Sequence, residues 1–367
     1  MTEGASLRKL VTVVGARPQF IKASALSRAL RHDPSFTEVL VHTGQHFDAN
    51  MSAVFFEELA IPAPAYDLEV RSLPHGAMTG RMLERIEKVL VRERPDAVVV
   101  YGDTNSTLAG ALATRKLGIP LTHVEAGLRS FNAAMPEEVN RVLTDRMSDL
   151  LCCPTWRAVE NLRAEGYDAL PCRVALTGDL MHDTALHYGA LAAERSTILD
   201  RLSLRDRRFA LCTLHRAENT DDRARLTAIL RGLHAIAESM PVVLPLHPRT
   251  AAALKRARIA LDLTVIDPVG YLDMVSLIQG SRAVITDSGG LQKDAYFFKR
   301  PCVTLRDETE WTELVEGGFN RLAGARPDMI YEAFREALAS HPDYDLELYG
   351  GGHAGQSIVA ELRALLR

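Results

Sequence analysis

Short apolar runs, most of them ending in a polar residue or a glycine, alternate along this chain with longer stretches in which apolar positions recur at helical spacing. Runs of strand length lie at 10–14, 38–42, 97–101, 121–124 and 150–153, and a second set lies at 209–214, 242–246, 263–266, 283–286 and 302–305. Between them, 80–91 and 106–117 read as helices, 181–202 as mostly helical and 354–366 as a terminal helix. This β-α-β-α rhythm implies parallel sheets with right-handed crossovers. Two such sets imply two doubly wound α/β domains. The boundary is expected near Thr177-Gly178-Asp179, giving an N-terminal domain over residues 1–177 and a second over 178–353. The turn Gly350-Gly351-Gly352 lets residues 354–367 cross back onto the first domain, with the active cleft expected between the two.

Composition narrows the class. A chain of 367 residues that is 47% hydrophobic holds enough apolar surface for two cores. The net charge of -4 argues against nucleic acid as a partner. Membrane spans need about 18 consecutive apolar residues, which this sequence lacks. Its start, Met1-Thr2-Glu3-Gly4, has neither the basic nor the apolar region of a signal peptide, so a cytoplasmic protein without a membrane partner is expected. Cys152, Cys153, Cys172, Cys212 and Cys302 stand in strand-like segments at no metal-ligand spacing and read as small core residues. No dinucleotide or Walker fingerprint is present, so neither metal, nicotinamide nor any other cofactor is expected.

Chemistry concentrates between Tyr101 and Arg141. The run ending in Tyr101-Gly102-Asp103 and the run ending in His123-Val124-Glu125 bring carboxylates to strand ends, where an open parallel sheet binds its ligands. Pro136-Glu137-Glu138-Val139-Asn140-Arg141 opens a helix, with Glu137, Asn140 and Arg141 at i, i+3 and i+4 on one face. Asp103, Glu125 and Glu137 are expected to share a cleft with Arg141, the pattern of a proton-transfer site, and Glu137 with Arg141 is expected to act as a pair.

Other strand ends suit an anion. Gly15-Ala16-Arg17-Pro18, with Lys22 one turn on, combines a glycine turn, a guanidinium and the positive end of a helix. Thr286-Asp287-Ser288-Gly289-Gly290 repeats the arrangement, with Asp294 placed to accept from a ribose hydroxyl. The ordinary alternatives are a solvated helix start for Arg17 and Lys22, an N-cap for Ser288 and an exposed acid for Asp294. His215 and His247 follow successive strands, with Arg216 and Arg249 close behind, which suits charge stabilisation of a diphosphate. Two such helix starts suit a nucleoside diphosphate better than a lone phosphate.

With Thr43-Gly44-Gln45-His46, Gly102-Asp103-Thr104, His123-Val124-Glu125-Ala126-Gly127-Leu128-Arg129 and His215-Arg216-Ala217-Glu218-Asn219 added, these motifs resemble, in order over nearly the whole chain, the non-hydrolysing UDP-N-acetylglucosamine 2-epimerase family. The resemblance implies a GT-B-like fold of two Rossmann-like domains, a UDP-sugar substrate, UDP held mainly by the second domain, and a homodimer. It carries over Asp103, Glu125 and Glu137 as acid/base groups and Arg141 and His215 as residues near the sugar and diphosphate. Arg17, Ser288, Gly289 and Gly290 become UDP contacts; at Asp294 the family usually has a glutamate. Gln45 and His46 match positions that bind a second, activating UDP-sugar in some members, against the plainer reading of a loop cap and a buried hydrogen bond. His247 and Arg249 are further candidates for sugar or second-site contact. Thr309-Glu310-Trp311 and the stretch from Gln45 to Met51 resemble the branch acting on UDP-2,3-diacetamido-2,3-dideoxy-glucuronate for surface polysaccharide such as O-antigen. The rival readings are a GT-B glycosyltransferase using a UDP-sugar, which needs no carboxylate group of this density, a hydrolysing epimerase, which would release UDP and the free sugar, and a nucleotide-sugar sensor, which would incorporate no deuterium at C2.

Overall fold

The computed structural model describes residues 7–45, 63–205 and 207–367, the Arg17 side chain excepted. The chain divides into two compact units, Met1–Thr184 with Leu348–Arg367, and Ala185–Glu347. Among the described residues, the first unit holds a seven-stranded sheet in the order β3-β2-β1-β4-β5-β6-β7. Its strands are β1 Arg8–Val14, β2 Phe36–His42, β3 Tyr66–Asp67, β4 Ala97–Tyr101, β5 Leu121–Val124, β6 Leu150–Cys153 and β7 Arg173–Leu176. The second unit holds a six-stranded sheet, β10-β9-β8-β11-β12-β13, from β8 Ala210–Thr213, β9 Val242–Pro245, β10 Thr264–Ile266, β11 Ala283–Thr286, β12 Cys302–Thr304 and β13 Asn320–Leu322. Every pairing is parallel. Two Rossmann-like sheets in this sequence make the fold GT-B-like.

Helix spacing explains how each sheet is covered. The helix His75–Glu93 buries Met78, Met82, Ile86, Val89 and Leu90 on one stripe, against Val11, Val13, Val98 and Val100 of the central strands. It starts before the expected residue 80 because Gly76 and Gly80, poor helix formers, sit on its first two turns without interrupting it. In the second unit Leu226, Ile229, Leu230 and Leu233 of the helix Arg223–Ala237 pack with Ile330 and Phe334.

The division between units falls inside the helix Leu180–Arg195, past the turn at Thr177-Gly178-Asp179 where the sequence places it. Three bonds tie residues up to 184 into the first unit. Asp179 donates its N–H to the Tyr349 carbonyl at 3.0 Å, beside Gly178 in the left-handed region (φ +83°). Asp183 then caps the last helix, Ala354–Leu365, accepting from the amides of Ala354 at 3.0 Å and Gly355 at 2.8 Å. That helix lies on the first unit, where Arg363 bonds Asp33 at 2.8 Å. Residues 348–353 therefore belong with the first unit rather than with the second.

Candidate active site

Each sheet reverses its strand order once, between β1 and β4 in the first unit and between β8 and β11 in the second, and ligands of open parallel sheets bind beyond the carboxyl ends at such a switch. The chain leaves β4 at Gly102-Asp103 and β11 at Asp287-Ser288-Gly289, the segments whose chemistry stands out in the sequence.

In the first unit Arg141 gathers the carboxylates. It bonds Asp103 and reaches Glu138 at 2.8 Å, and the fields of Asp103, Glu138 and Glu125 together outweigh its burial and hold the guanidinium charged. Asn140 donates to the Asp103 carbonyl at 2.9 Å. Glu125 lies against Gly102, whose added Cβ would stand 3.2 Å from the Glu125 carboxylate, and it is ion-paired with Lys22. Both members of that pair are nearly buried, with side chains 12% and 11% exposed. Lys22, expected as a UDP contact, is thus engaged by Glu125. Glu125 also holds a left-handed backbone, φ +71°, an unfavourable conformation for a side chain of this kind and one that tends to persist at functional sites.

The expected pair of Glu137 with Arg141 does not form. Glu137 is exposed, and its neighbour Glu138, 5% exposed, takes the arginine at i, i+3. The helix Pro136–Met147 turns its inner face toward the loop at Ser130 and Phe131, and Glu138 accepts both of that loop's amides at 2.9 Å. Burial acts to raise the Glu138 pKa, but those amides and Arg141 outweigh it and hold the carboxyl below its usual value.

The first helix start is not an open anion nest. The amides of Gly15 and Ala16 are taken by the Gln19 side chain at 2.8 and 3.0 Å, and a Cβ at Gly15 would lie 2.1 Å from both Ser106 and Thr43 hydroxyls. Close packing therefore requires this glycine. Gln45 Oε1 accepts from the Ser106 amide at 3.0 Å and hydroxyl at 2.7 Å, at the start of the helix Asn105–Lys116. His46 and the Arg17 side chain lie outside the described residues.

The second helix start is built differently. Ser288 is the N-cap of the helix Gly289–Phe297 and accepts from the Leu291 amide, while Gly290 is exposed. The Glu310 carboxylate packs over Gly289 and would lie 2.3 Å from an added Cβ, so a larger residue there would displace it. Asp294 is partly buried on the same helix. Trp311 Nε1 donates to the Gly289 carbonyl at 3.0 Å, and Thr309 donates to Gln292 at 2.7 Å, so the Thr309-Glu310-Trp311 segment is wired to the Gly289 turn.

His215 stands at the end of β8 over Asp287. That buried carboxylate accepts the backbone amides of His215 at 3.0 Å and Arg216 at 2.8 Å, and lies 3.2 Å from His215 Nδ1. The His247 ring is 5.3 Å from that of His215; burial and then the nearby His215 push its pKa down. Arg249 bonds Asp221 at 2.6 Å and Thr220 at 3.0 Å. Burial of Asp287 acts to raise its pKa, but the His215 ring and the amides beneath it win and lower it. A carboxyl with a lowered folded pKa contributes stability that is complete above its unfolded value, about 3.9, and lost as pH falls through the folded value. Asp287→Asn should therefore flatten the thermal midpoint against pH below about 4 and lower that midpoint near neutrality. Calorimetric scans across that range check it, and parallel profiles for the two proteins would exclude it.

Several organising residues are given no role in the sequence reading. Asp287 and Glu138 sit beside residues singled out there, and doubled acids on a helix start were the available clue for Glu138. His123 and Asp145, bonded at 2.6 Å and both wholly buried, belong to it as well. Among the described residues no group of His, Cys, Asp and Glu is placed to hold a metal ion, and no helix is long and apolar enough to cross a membrane.

Comparison with known proteins places this geometry. The family model described as UDP-N-acetylglucosamine 2-epimerase matches residues 28–363. The UDP-2,3-diacetamido-2,3-dideoxy-D-glucuronate 2-epimerase of Pseudomonas aeruginosa is 54% identical over 358 residues, 97% of this chain and 100% of that protein. The crystal structure of Methanocaldococcus jannaschii UDP-GlcNAc 2-epimerase in complex with UDP-GlcNAc and UDP is 40% identical with a TM-score of 0.85, covering 97% of this chain and 99% of that one. The Neisseria meningitidis UDP-GlcNAc 2-epimerase bound to UDP-GlcNAc is 29% identical with a TM-score of 0.83, over 97% and 100% of the two chains.

Proposed function

The chain belongs to the UDP-N-acetylglucosamine 2-epimerase family and is a non-hydrolysing UDP-sugar 2-epimerase, and from that premise we propose that its substrate is UDP-2,3-diacetamido-2,3-dideoxy-glucuronate. The 54% identity over nearly the whole chain to a Pseudomonas aeruginosa protein of that name carries the reading. The Thr309-Glu310-Trp311 segment, which resembles that branch, supports it, since Trp311 is bonded to Gly289 at the second helix start.

The chemistry follows from the substrate. No carbonyl stands beside C2, so a carbanion there has nothing to delocalise it. Elimination avoids the carbanion: a base takes the C2 proton as the C1–O bond breaks, giving a glycal and UDP. UDP then adds back at C1 while an acid delivers a proton to the opposite face of C2, and the epimer is complete. Asp103, Glu125 and Glu137 supply the proton transfers in this reading. Arg141 binds the Asp103 carboxylate and, through Glu138, ties the helix Pro136–Met147 to it, which fixes the position of that acid. Ser288, Gly289 and Gly290, with His215 over Asp287, stabilise the departing diphosphate through a helix N-terminus and a ring held by a buried carboxylate. Arg17 and Asp294 complete the UDP contacts.

We assign the product to bacterial surface polysaccharide synthesis such as O-antigen, in the cytoplasm. A homodimer is proposed as well. Val139, Val142 and Leu143 of the helix Pro136–Met147, with its N-cap Met135, are 44, 36, 47 and 39% exposed, an apolar stripe that a second copy would cover. Sedimentation velocity at micromolar concentration decides it, a monomer throughout being the contrary result.

The substrate reading is tested by turnover of UDP-N-acetylglucosamine and the diacetamido uronate side by side. We expect kcat/KM for the uronate to exceed the other at least about tenfold, roughly one well-made polar contact. Equal values, or a preference for UDP-N-acetylglucosamine, would overturn the choice of sugar and leave the epimerase activity standing.

A further inference from the structure

We propose that His123 and Asp145 are positioning residues for the epimerisation, His123 fixing the peptide that carries Asp103 and Asp145 fixing the turn that carries Glu125. The proposal rests on Asp103 and Glu125 being acid/base groups.

His123 lies on β5 beside Val100 of β4 and is wholly buried. Its ring bridges two segments: Nδ1 is 2.6 Å from Asp145 Oδ1 and Nε2 is 2.7 Å from the Gly102 carbonyl. Gly102, at φ +59°, is the residue immediately before Asp103, and its own amide donates to the Val124 carbonyl at 3.0 Å. Both polar groups of Gly102 are therefore held by β5. Asp103 follows on a backbone with little freedom left, and Asn140 holds its carbonyl from the other side.

Asp145 works on the next turn. Its second oxygen accepts from the Gly127 amide at 3.1 Å and from Arg129 at 2.6 Å, while the amides of Glu125 and Ala126 both donate to the Cys152 carbonyl at 3.1 Å. These bonds bracket Glu125 and hold it in its left-handed conformation, which a free turn would relax. Asp145 itself belongs to the helix Pro136–Met147, which carries Glu137 and Arg141. One buried carboxylate thus connects the three segments that bear the acids.

Hydrogen accounting sharpens the role of the ring. Both partners of His123 are acceptors, and a neutral imidazole has one N–H to give. The two bonds are made together when the ring donates from Nε2 to the Gly102 carbonyl and shares one proton with Asp145 across Nδ1. His123 and Arg129 meet on Asp145, and Arg129 reaches on to Glu165 at the surface, so one buried carboxylate joins the two side chains. A core that needed only packing would be served at least as well by apolar side chains of similar volume. The bonds of this cluster end instead on the peptide before Asp103 and on the turn that brackets Glu125.

His123→Ala and Asp145→Asn in the full-length enzyme test the proposal, with Asp103→Asn run alongside. In both positioning variants kcat should fall about a hundredfold, as expected for a misplacement near an ångström, while KM and the Kd of UDP stay within about threefold. Imidazole added to His123→Ala should restore turnover, because it refills the site with the group removed; it should do nothing for Asp145→Asn. A variant folded at the assay temperature with kcat within about twofold of the wild type would overturn the proposal, as would a rise in KM at constant kcat. If His123→Ala does not fold, Asp145→Asn alone decides, since an amide of the same shape keeps an acceptor toward the ring. Normal turnover by Asp103→Asn would show that the acid/base reading has failed; an inactive Asp103→Asn beside an active His123→Ala would show that positioning has.

Discussion

Asp103→Asn and Glu125→Gln should each lose at least about a hundredfold in turnover and keep their affinity for UDP, the low end of what a general acid or base contributes. The structure makes the two substitutions unequal in other respects. Removing the Asp103 charge leaves Arg141 with Glu138 at 2.8 Å, so the fold should hardly notice. Removing the Glu125 charge strands the Lys22 ammonium, whose side chain is 11% exposed, and breaking a buried pair from one side costs about 3 to 5 kcal/mol. Glu125→Gln should therefore melt earlier, and its turnover belongs on protein shown to be folded at the assay temperature. Ser288→Ala should behave in the opposite way. It removes the cap of the helix Gly289–Phe297, about 1 kcal/mol, together with a hydroxyl proposed to meet the diphosphate, and UDP affinity should drop about tenfold or more. Titration calorimetry with UDP separates the classes. If Asp103→Asn weakens UDP as much as Ser288→Ala does, the division of labour between acids and phosphate site is wrong.

Where the sequence was legible, one kind of signal made it so. Nine of the ten strands visible in the sequence are largely buried apolar runs, with the edge strand Thr264–Ile266 the exposed exception, and such runs stand out because a parallel sheet covered by helices leaves no polar alternation to confuse them. The three strands absent from that reading are edges: Tyr66–Asp67, Arg173–Leu176 and Asn320–Leu322 are two to four residues long and carry charged or polar side chains. The site followed the same rule. Asp103, Glu125 and Ser288 are visible because they end apolar runs. Which groups pair is not, because a long-range bond has no spacing: Lys22 meets Glu125 from a separation of 103 residues and His123 meets Asp145 from 22. At Gly15-Ala16 the pattern misled. A glycine before a helix suits both an anion nest and a tight approach, and Gln19, one turn later, already fills the amides.

Helical spacing alone does not choose between two adjacent acids, and the pair Glu137 and Glu138 shows the consequence in a form that substitution tests directly. The first is exposed and the second buried beneath Ser130 and Phe131, so the two should fail in opposite ways. Glu138→Gln loses a carboxylate that accepts two amides and pairs with Arg141. It should cost about 2 to 3 kcal/mol, or about 4 to 12 °C in the midpoint of a unit of this size. Its pH dependence has a definite sign. The lowered pKa of Glu138 means that this stability is complete above the unfolded value of about 4.3 and disappears as pH falls through the folded value, so wild type and variant should converge in acid. Glu137→Gln should leave the midpoint nearly unchanged, since an exposed acid in a first helical turn contributes about 0.3 to 1 kcal/mol. If Glu137 is the third acid/base group, the variant should nonetheless lose at least about a hundredfold in turnover with UDP affinity intact. An exposed carboxylate not committed to Arg141 is the better placed of the two to exchange a proton with substrate, whereas Glu138 has its oxygens occupied. Turnover of Glu137→Gln close to wild type would remove it from the acid/base group and leave Asp103 and Glu125 to serve the two faces of C2.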